Sequence, residues 1–269
     1  MSSVPRIDVL GVGVSAIDIP AAIDTLAGWV ADRVDTYVCV TGVHGVMESQ
    51  KDPSLRSIHN RAGMVTPDGM PLVWLGRRFA GRKHMARVYG PDLMLEVCRQ
   101  SSDRGWRHFF YGGAEGVPEL LRDRLCQRFR GLEVAGTYAP PFRPLTREED
   151  AAIISRVNAS GAHFTWIGLS TPKQERFMAE HCGQINGVML GVGAAFDFHA
   201  GLKRQAPRIV QRSGLEWLFR MLSEPRRLAP RYLVNNPRFV WRITRQLLAR
   251  GIPAMPVAAP RSGTPARGT

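Results

Sequence analysis

Short apolar runs alternate with amphipathic stretches along most of this chain. The runs at Ile7 to Val14, Tyr37 to Thr41, Arg107 to Tyr111, Leu132 to Ala135, Phe164 to Gly168 and Gly187 to Leu190, with another opening at Met64, are bounded by turn residues, which predicts short strands. Between them apolar residues recur at helical spacing. Ile23, Leu26 and Trp29 or Val30 mark a helix over Ala21 to Val30, and Val46 and Met47 mark one running toward Asn60. Further helices are predicted from Pro91 through Cys98, over Val117 to Phe129, over Asp150 to Ala159 and after Pro172. Strand and helix alternate, so the expected class is α/β, a mainly parallel sheet with helices on both faces.

Cap and turn residues sharpen this outline. Thr146 and Glu149 have capping-box spacing, and Gly136 to Pro141 reads as a loop. Thr171 suits an N-cap, Pro172 a first helical position and Gln174 the closing position of a second capping box. That helix follows the strand ending at Gly168, so its free N–H groups would gather where an open α/β sheet binds phosphate-bearing ligands. Gly112 and Gly113, at another strand-to-helix turn, either approach a diphosphate closely or make a plain tight turn. Gly11, Gly13 and Ala16 fit the dinucleotide spacing GxGxxA, but the strand ending at Thr41 lacks the acidic residue that would hold a ribose.

Beyond Pro207 the pattern changes. Twelve basic residues and only Glu216 and Glu224 lie between Lys203 and Arg250, so ten of the chain's thirteen excess positive charges fall there. Leu215, Leu218, Phe219 and Leu222 form one apolar helical face, and Phe239, Val240, Ile243, Leu247 and Leu248 form another. Basic amphipathic helices carrying Trp217 and Trp241 suit an anionic membrane surface, or a solvated face packed on the main domain. The expected organisation is a catalytic-type domain over 1–202, a basic appendage over 203–250 and a Pro-, Ala- and Gly-rich disordered tail over 251–269.

The net charge of +13 implies an anionic partner: nucleic acid, nucleotide phosphates or an acidic membrane. No aromatic stacking platform accompanies the basic residues, which argues against nucleic acid. Cys39, Cys98, Cys126 and Cys182 show no CxxC spacing, which argues against zinc and a disulfide framework and fits a reducing compartment. The start of the chain does not read as a signal peptide, and no apolar run reaches the roughly 18 residues of a bilayer span, so a cytoplasmic protein with peripheral contact to the inner face of the cell membrane is expected.

One carboxylate stands out. Asp68, in Thr66-Pro67-Asp68-Gly69, follows a short strand, and either shapes the turn or faces the sheet-edge cleft as a general base. A basic loop (Arg77, Arg78, Arg82, Lys83) then leads to Arg87-Val88-Tyr89-Gly90. Asp197 and His199 are conceivable metal ligands, but a lone pair of this kind is more often structural, and no Asp-x-Asp motif is present.

Thr66-Pro67-Asp68-Gly69, Arg87-Val88-Tyr89-Gly90, Gly112-Gly113, Gly168 with Pro172-Lys173-Gln174-Glu175, Gly191 to Asp197, Arg204-Gln205-Ala206-Pro207, Leu215 to Arg220 and Glu224-Pro225-Arg226-Arg227 occur in one ordered set. Together they resemble the WecG/TagA/CpsF glycosyltransferase family over roughly residues 7 to 245. The resemblance implies a Rossmann-like enzyme that moves a sugar, N-acetylmannosamine in the best-known members, from a UDP-sugar to an undecaprenyl-diphosphate-linked sugar, inverting the anomeric centre. It implies no metal and no cofactor. It places the base on Asp68, sets Thr41 against the sugar donor and assigns substrate binding to Arg87, Gly112, Gly113, Gly168, Gln174, Gly191, Arg220 and Arg227. The basic segment is then a cover over the site at the membrane. Val43 stands where many relatives have Asn. Two other classes remain beside this reading, a nucleotide-dependent oxidoreductase and a non-catalytic basic protein that binds membrane or nucleic acid. Homo-oligomerisation is left open.

Overall fold

The computed structural model describes residues 4–256. In chain order its elements begin with β1 (Arg6–Val9), β2 (Val12–Ser15), α1 (Ile19–Ala31), β3 (Thr36–Thr41), α2 (Val43–Lys51), α3 (Pro53–Arg61), β4 (Met64–Pro67), α4 (Met70–Phe79) and α5 (Gly90–Arg104). The chain continues through β5 (Arg107–Gly112), α6 (Val117–Arg128), β6 (Glu133–Tyr138), α7 (Arg147–Ser160), β7 (Phe164–Gly168), α8 (Lys173–His181), β8 (Val188–Gly191) and α9 (Ala195–His199). It closes with α10 (Arg208–Arg212), α11 (Glu216–Ser223), α12 (Pro225–Arg250) and β9 (Ala254–Met255).

Among the described residues, six strands form a wholly parallel sheet in the order β4-β3-β8-β7-β5-β6, flanked by helices, as the alternating pattern predicts. The last two strands made, β7 and β8, fill its centre between β5 and β3. Neighbouring residues along a strand point to opposite faces. Thus Phe110 and Trp166 join the core under α1, α5 and α6, whereas Phe109 and Ile167 join the core under α2, α3 and α8.

The first apolar run is a hairpin rather than a strand leading into a helix. β1 and β2 pair antiparallel, and with β9 they make a separate three-stranded sheet. Gly11 therefore lies at the hairpin turn and Gly13 within β2, away from any strand-to-helix turn of the parallel sheet, and the GxGxxA spacing has no dinucleotide context. The hairpin is fastened by Arg6, a fully buried guanidinium that donates to the carbonyls of Asn60, Ala62 and Gly63. A cation thus sits on the unsatisfied carbonyls past the end of α3.

Three local expectations change in the structure. The helix expected to run on to Asn60 breaks at Asp52, where Pro53 removes an amide donor and the Asp52 carboxylate accepts from the Ser54 and Leu55 amides at 2.9 and 3.2 Å. The strand expected to end at Ala135 continues to Tyr138, because Gly136, Thr137 and Tyr138 find partners along β5. Gly136 belongs there since a Cβ would stand 2.5 Å from the Phe109 ring. Arg77 and Arg78 lie not in a loop but in the last turn of α4, whose Leu72, Val73 and Leu75 are buried. The Thr146–Glu149 capping box forms as expected.

The basic segment folds back on the sheet domain. In α12, Phe239 and Ile243 are buried in the core, while Leu233, Val240, Trp241 and Leu248 are exposed. Gln246 locks the helix to the hairpin, accepting from the Leu10 amide and donating to the Asp8 carbonyl, each at 2.8 Å. Of the tail expected to be disordered, residues 251–256 return to pair β9 with β1, and the remainder lies outside the described residues.

Candidate active site

Five strands of the parallel sheet deliver their carboxyl ends to one cleft of about 1230 Å³. Thr41 closes β3, Asp68 follows β4, Gly113 follows β5, and Gly168 and Gly191 close β7 and β8; all five line the cleft. The helical segment α11 and α12 contributes Glu216, Arg220, Arg227 and Arg231 to the same cleft. Ligands of open α/β sheets bind at this edge because side chains from several strands converge there.

Asp68 is held by its backbone and its side chain. Its amide donates to the Thr41 carbonyl at 3.0 Å, and one carboxylate oxygen accepts from the Gly90 amide at the start of α5 at 3.2 Å. Arg87 Nε donates to the Asp68 carbonyl, and the guanidinium lies 4.0 Å from the centroid of the Tyr89 ring. Loss of hydration raises the Asp68 pKa above the ordinary aspartate value; Glu216 adds to this, while Arg87, Gly90 and Arg220 oppose it without cancelling it. A carboxylate with raised proton affinity beside an open cleft suits proton abstraction.

Arg87 also pairs with Glu216 of α11, so a single guanidinium ties the Asp68 loop to the covering helices. Burial works against its charge, but Asp68 and Glu216 outweigh burial and hold its pKa above the usual value. Glu216 escaped the sequence reading, although it was visible as one of two acidic residues in a strongly basic stretch.

The covering helices also carry a cluster of cations. Burial opposes the charge of Arg220, yet Tyr232, Tyr89, Asp68 and Glu216 keep its pKa raised. Burial, and then neighbouring Arg220 and Arg227, draw Arg231 down to about 10. Burial, followed by Arg231, Lys51 and Arg220, lowers His44 to about 3, so its ring is neutral and accepts from Asn235 at 3.3 Å. Among the described residues, four buried atoms of cleft-lining residues have no hydrogen-bond partner: Thr41 Oγ1, the Tyr89 hydroxyl, Gln174 Oε1 and Arg231 Nε. Buried polar atoms are nearly always paired, so these four mark positions a bound ligand would satisfy. His44, Asn235 and Arg231 carry no sequence signal that separates them from other polar residues on helices.

The remaining sequence-predicted residues fall into place unevenly. Gly112 does not reach the cleft wall; it lies at φ +125°, and a Cβ there would stand 2.7 Å from the Gly168 backbone. The Gly113 amide already donates to the Gly168 carbonyl at 3.0 Å. Gln174 sits in the first turn of α8 beside Gly191, where an added Cβ would approach its amide nitrogen to 3.1 Å. The capping box expected at Thr171 does not form: the Thr171–Pro172 bond is cis, Pro172 occupies the cap, and the Thr171 hydroxyl donates to Glu175 at 2.8 Å. Arg227 lines the cleft and pairs with Glu224 at 2.6 Å. Asp197 pairs with Lys203 at 3.0 Å, and His199 contacts the Pro91 carbonyl at 2.9 Å, so both are engaged structurally. Among the described residues no three His, Cys, Asp or Glu side chains are grouped as metal ligands.

A carboxylate on the sheet edge facing cations on a helical cover is the layout of an α/β enzyme that handles an anionic substrate. The chain can be assigned more closely than that. Residues 7–252 match the model of the Glycosyl transferase WecG/TagA/CpsF family, and the chain belongs to this family. It is a glycosyltransferase, with a sugar donor and an acceptor as its substrates. Among the described residues no helix is long and apolar enough to cross a membrane.

Proposed function

We propose that the protein transfers a sugar, N-acetylmannosamine or a related hexose, from a UDP-sugar to an undecaprenyl-diphosphate-linked sugar in cell-envelope or exopolysaccharide synthesis. In this reading Asp68 takes the proton from the acceptor hydroxyl as that oxygen attacks the anomeric carbon. The bond to UDP breaks on the opposite side, so the centre inverts, and the electron pair leaves with the diphosphate. Arg220, Arg227 and Arg231 stabilise that charge without a metal or other cofactor, and Arg87 holds the Asp68 loop in place. Thr41 and Gln174 face the donor through their unpartnered oxygens. The observation that carries the reading is that Asp68, from the sheet edge, and the arginine cluster, from α11 and α12, line one cleft.

The membrane part of the reading rests on residues 203–250, whose cations cover the site while Val240, Trp241 and Leu248 remain exposed. A cytoplasmic enzyme of this kind would meet its lipid acceptor at the inner face of the membrane.

Incubation of purified protein with a panel of UDP-sugars and a short-chain lipid-diphosphate acceptor tests the reaction. Asp68→Asn should lower turnover at least 100-fold, as expected for loss of a general base, while UDP affinity measured by calorimetry stays near wild type. Wild-type turnover in that variant would remove Asp68 from the chemistry.

A further inference from the structure

The helix that follows the catalytic-type carboxylate, α4, carries exposed cations to which the proposed reaction gives no role, next to aromatic residues that line the cleft. From Gly69 to Pro91 the chain contains no Asp or Glu, yet it carries Arg77, Arg78, Arg82, Lys83 and Arg87. Arg87 is engaged in the site; Arg77, Arg78 and Lys83 are exposed, and among the described residues none of the three has a carboxylate partner, although Arg77 Nε donates to the Met85 carbonyl at 2.6 Å. The same helix carries two large aromatic side chains that also line the cleft, Trp74 at 49 % and Phe79 at 52 % exposure. Trp74 packs beneath Gly214, where a Cβ would come within 2.6 Å of its ring, and the next residue, Leu215, is 49 % exposed. Apolar surface therefore continues from α4 to the start of α11.

We propose that this face of α4 is a docking surface for an anionic lipid membrane, formed by the sheet domain itself and separate from the exposed apolar residues of α12. Half-exposed Trp and Phe beside Arg and Lys that meet no carboxylate among the described residues match the interfacial layer of a bilayer, where the rings enter the headgroup region and the cations meet lipid phosphates. Charge complementarity selects this partner. A protein surface would offer carboxylates at fixed places, whereas a fluid anionic surface accepts cations at any spacing. α4 starts two residues after Asp68, so docking through it would hold the cleft mouth against the membrane. The inference deepens the proposed function, because a membrane-held acceptor would reach Asp68 between two anchored rims.

The test uses the full chain and vesicles of phosphatidylglycerol with phosphatidylcholine, against vesicles of phosphatidylcholine alone. Arg78→Glu combined with Lys83→Glu should lower binding to the anionic vesicles at least tenfold, at about 1 kcal/mol per cation near the surface. Phe79→Ser should lower binding to both vesicle types, and melting curves should show both proteins folded. Transfer to a water-soluble short-chain acceptor should be unchanged in the charge-reversed protein, while transfer to a long-chain acceptor in anionic vesicles should fall. Vesicle binding equal to wild type in that variant would overturn the docking surface and leave the proposed function standing. Vesicle binding lost as expected, in a protein that transfers sugar to no lipid-diphosphate acceptor, would overturn the proposed function and leave the surface standing. A loss confined to duplex DNA binding would assign the patch to nucleic acid and overturn the proposal.

Discussion

Asp68 holds a proton more tightly than an exposed aspartate because the surrounding protein withdraws water from its carboxylate and Glu216 adds a second negative charge. In the proposed reaction Asp68 is the general base and works only when deprotonated, so the acid limb of a kcat/KM profile should lie above the ordinary aspartate range. Glu216→Gln removes the like charge and frees Arg87 to act on Asp68 alone; both changes lower the Asp68 pKa, so the acid limb should move to lower pH. An acid limb that stays in place would show that Glu216 does not act on the titrating group. Thr41→Val tests a different feature. Its hydroxyl has no partner among the described residues, so the thermal midpoint should hold, while donor affinity drops about fivefold to tenfold by calorimetry, the worth of one hydrogen bond. Asp68 was legible in the sequence because a carboxylate after a short strand points at the sheet edge. Arg231 and His44 were not, because only the return of α12 over the cleft gives them a common neighbour.

Elements in this protein are fixed as much by their neighbours as by their own residues. β6 outruns its apolar run because β5 offers unpaired backbone groups, and Gly136 lets the two strands pass the Phe109 ring. Capping at Thr146 depends only on residues three apart and was legible; the turn at Thr171 depends on Glu175 reaching back from α8, which spacing did not reveal. Arg6 is the clearest case of a remote partner, since it crosses from β1 to carbonyls past α3. Arg6→Met should destabilise the fold by about 2 kcal/mol in denaturant titration, because it strands buried acceptors without opening a large cavity. A change within a few tenths would mean that water replaces the guanidinium there.

At the scale of the whole molecule the basic segment is both cover and core. Phe239 and Ile243 lie in the interior, and β9 completes the sheet that holds the first hairpin. Removing residues 203–269 would therefore cost stability as well as any membrane contact, and point changes separate the two. Phe239→Ala should destabilise by about 3 kcal/mol, whereas Trp241→Ser should leave the thermal midpoint in place and weaken vesicle binding. The chain's own order of apolar runs and helical spacings determined the α/β class, the parallel sheet and the edge at which Asp68, Gly168 and Gly191 meet, because side-chain period and turn chemistry are local properties. The tertiary structure alone decided that Gly11 and Gly13 belong to a hairpin, that Gly112 serves packing, and that Glu216 and Arg231 complete the site. Gly112 against Gly168 and Glu216 against Arg87 are contacts between residues far apart in sequence, and no local spacing encodes them.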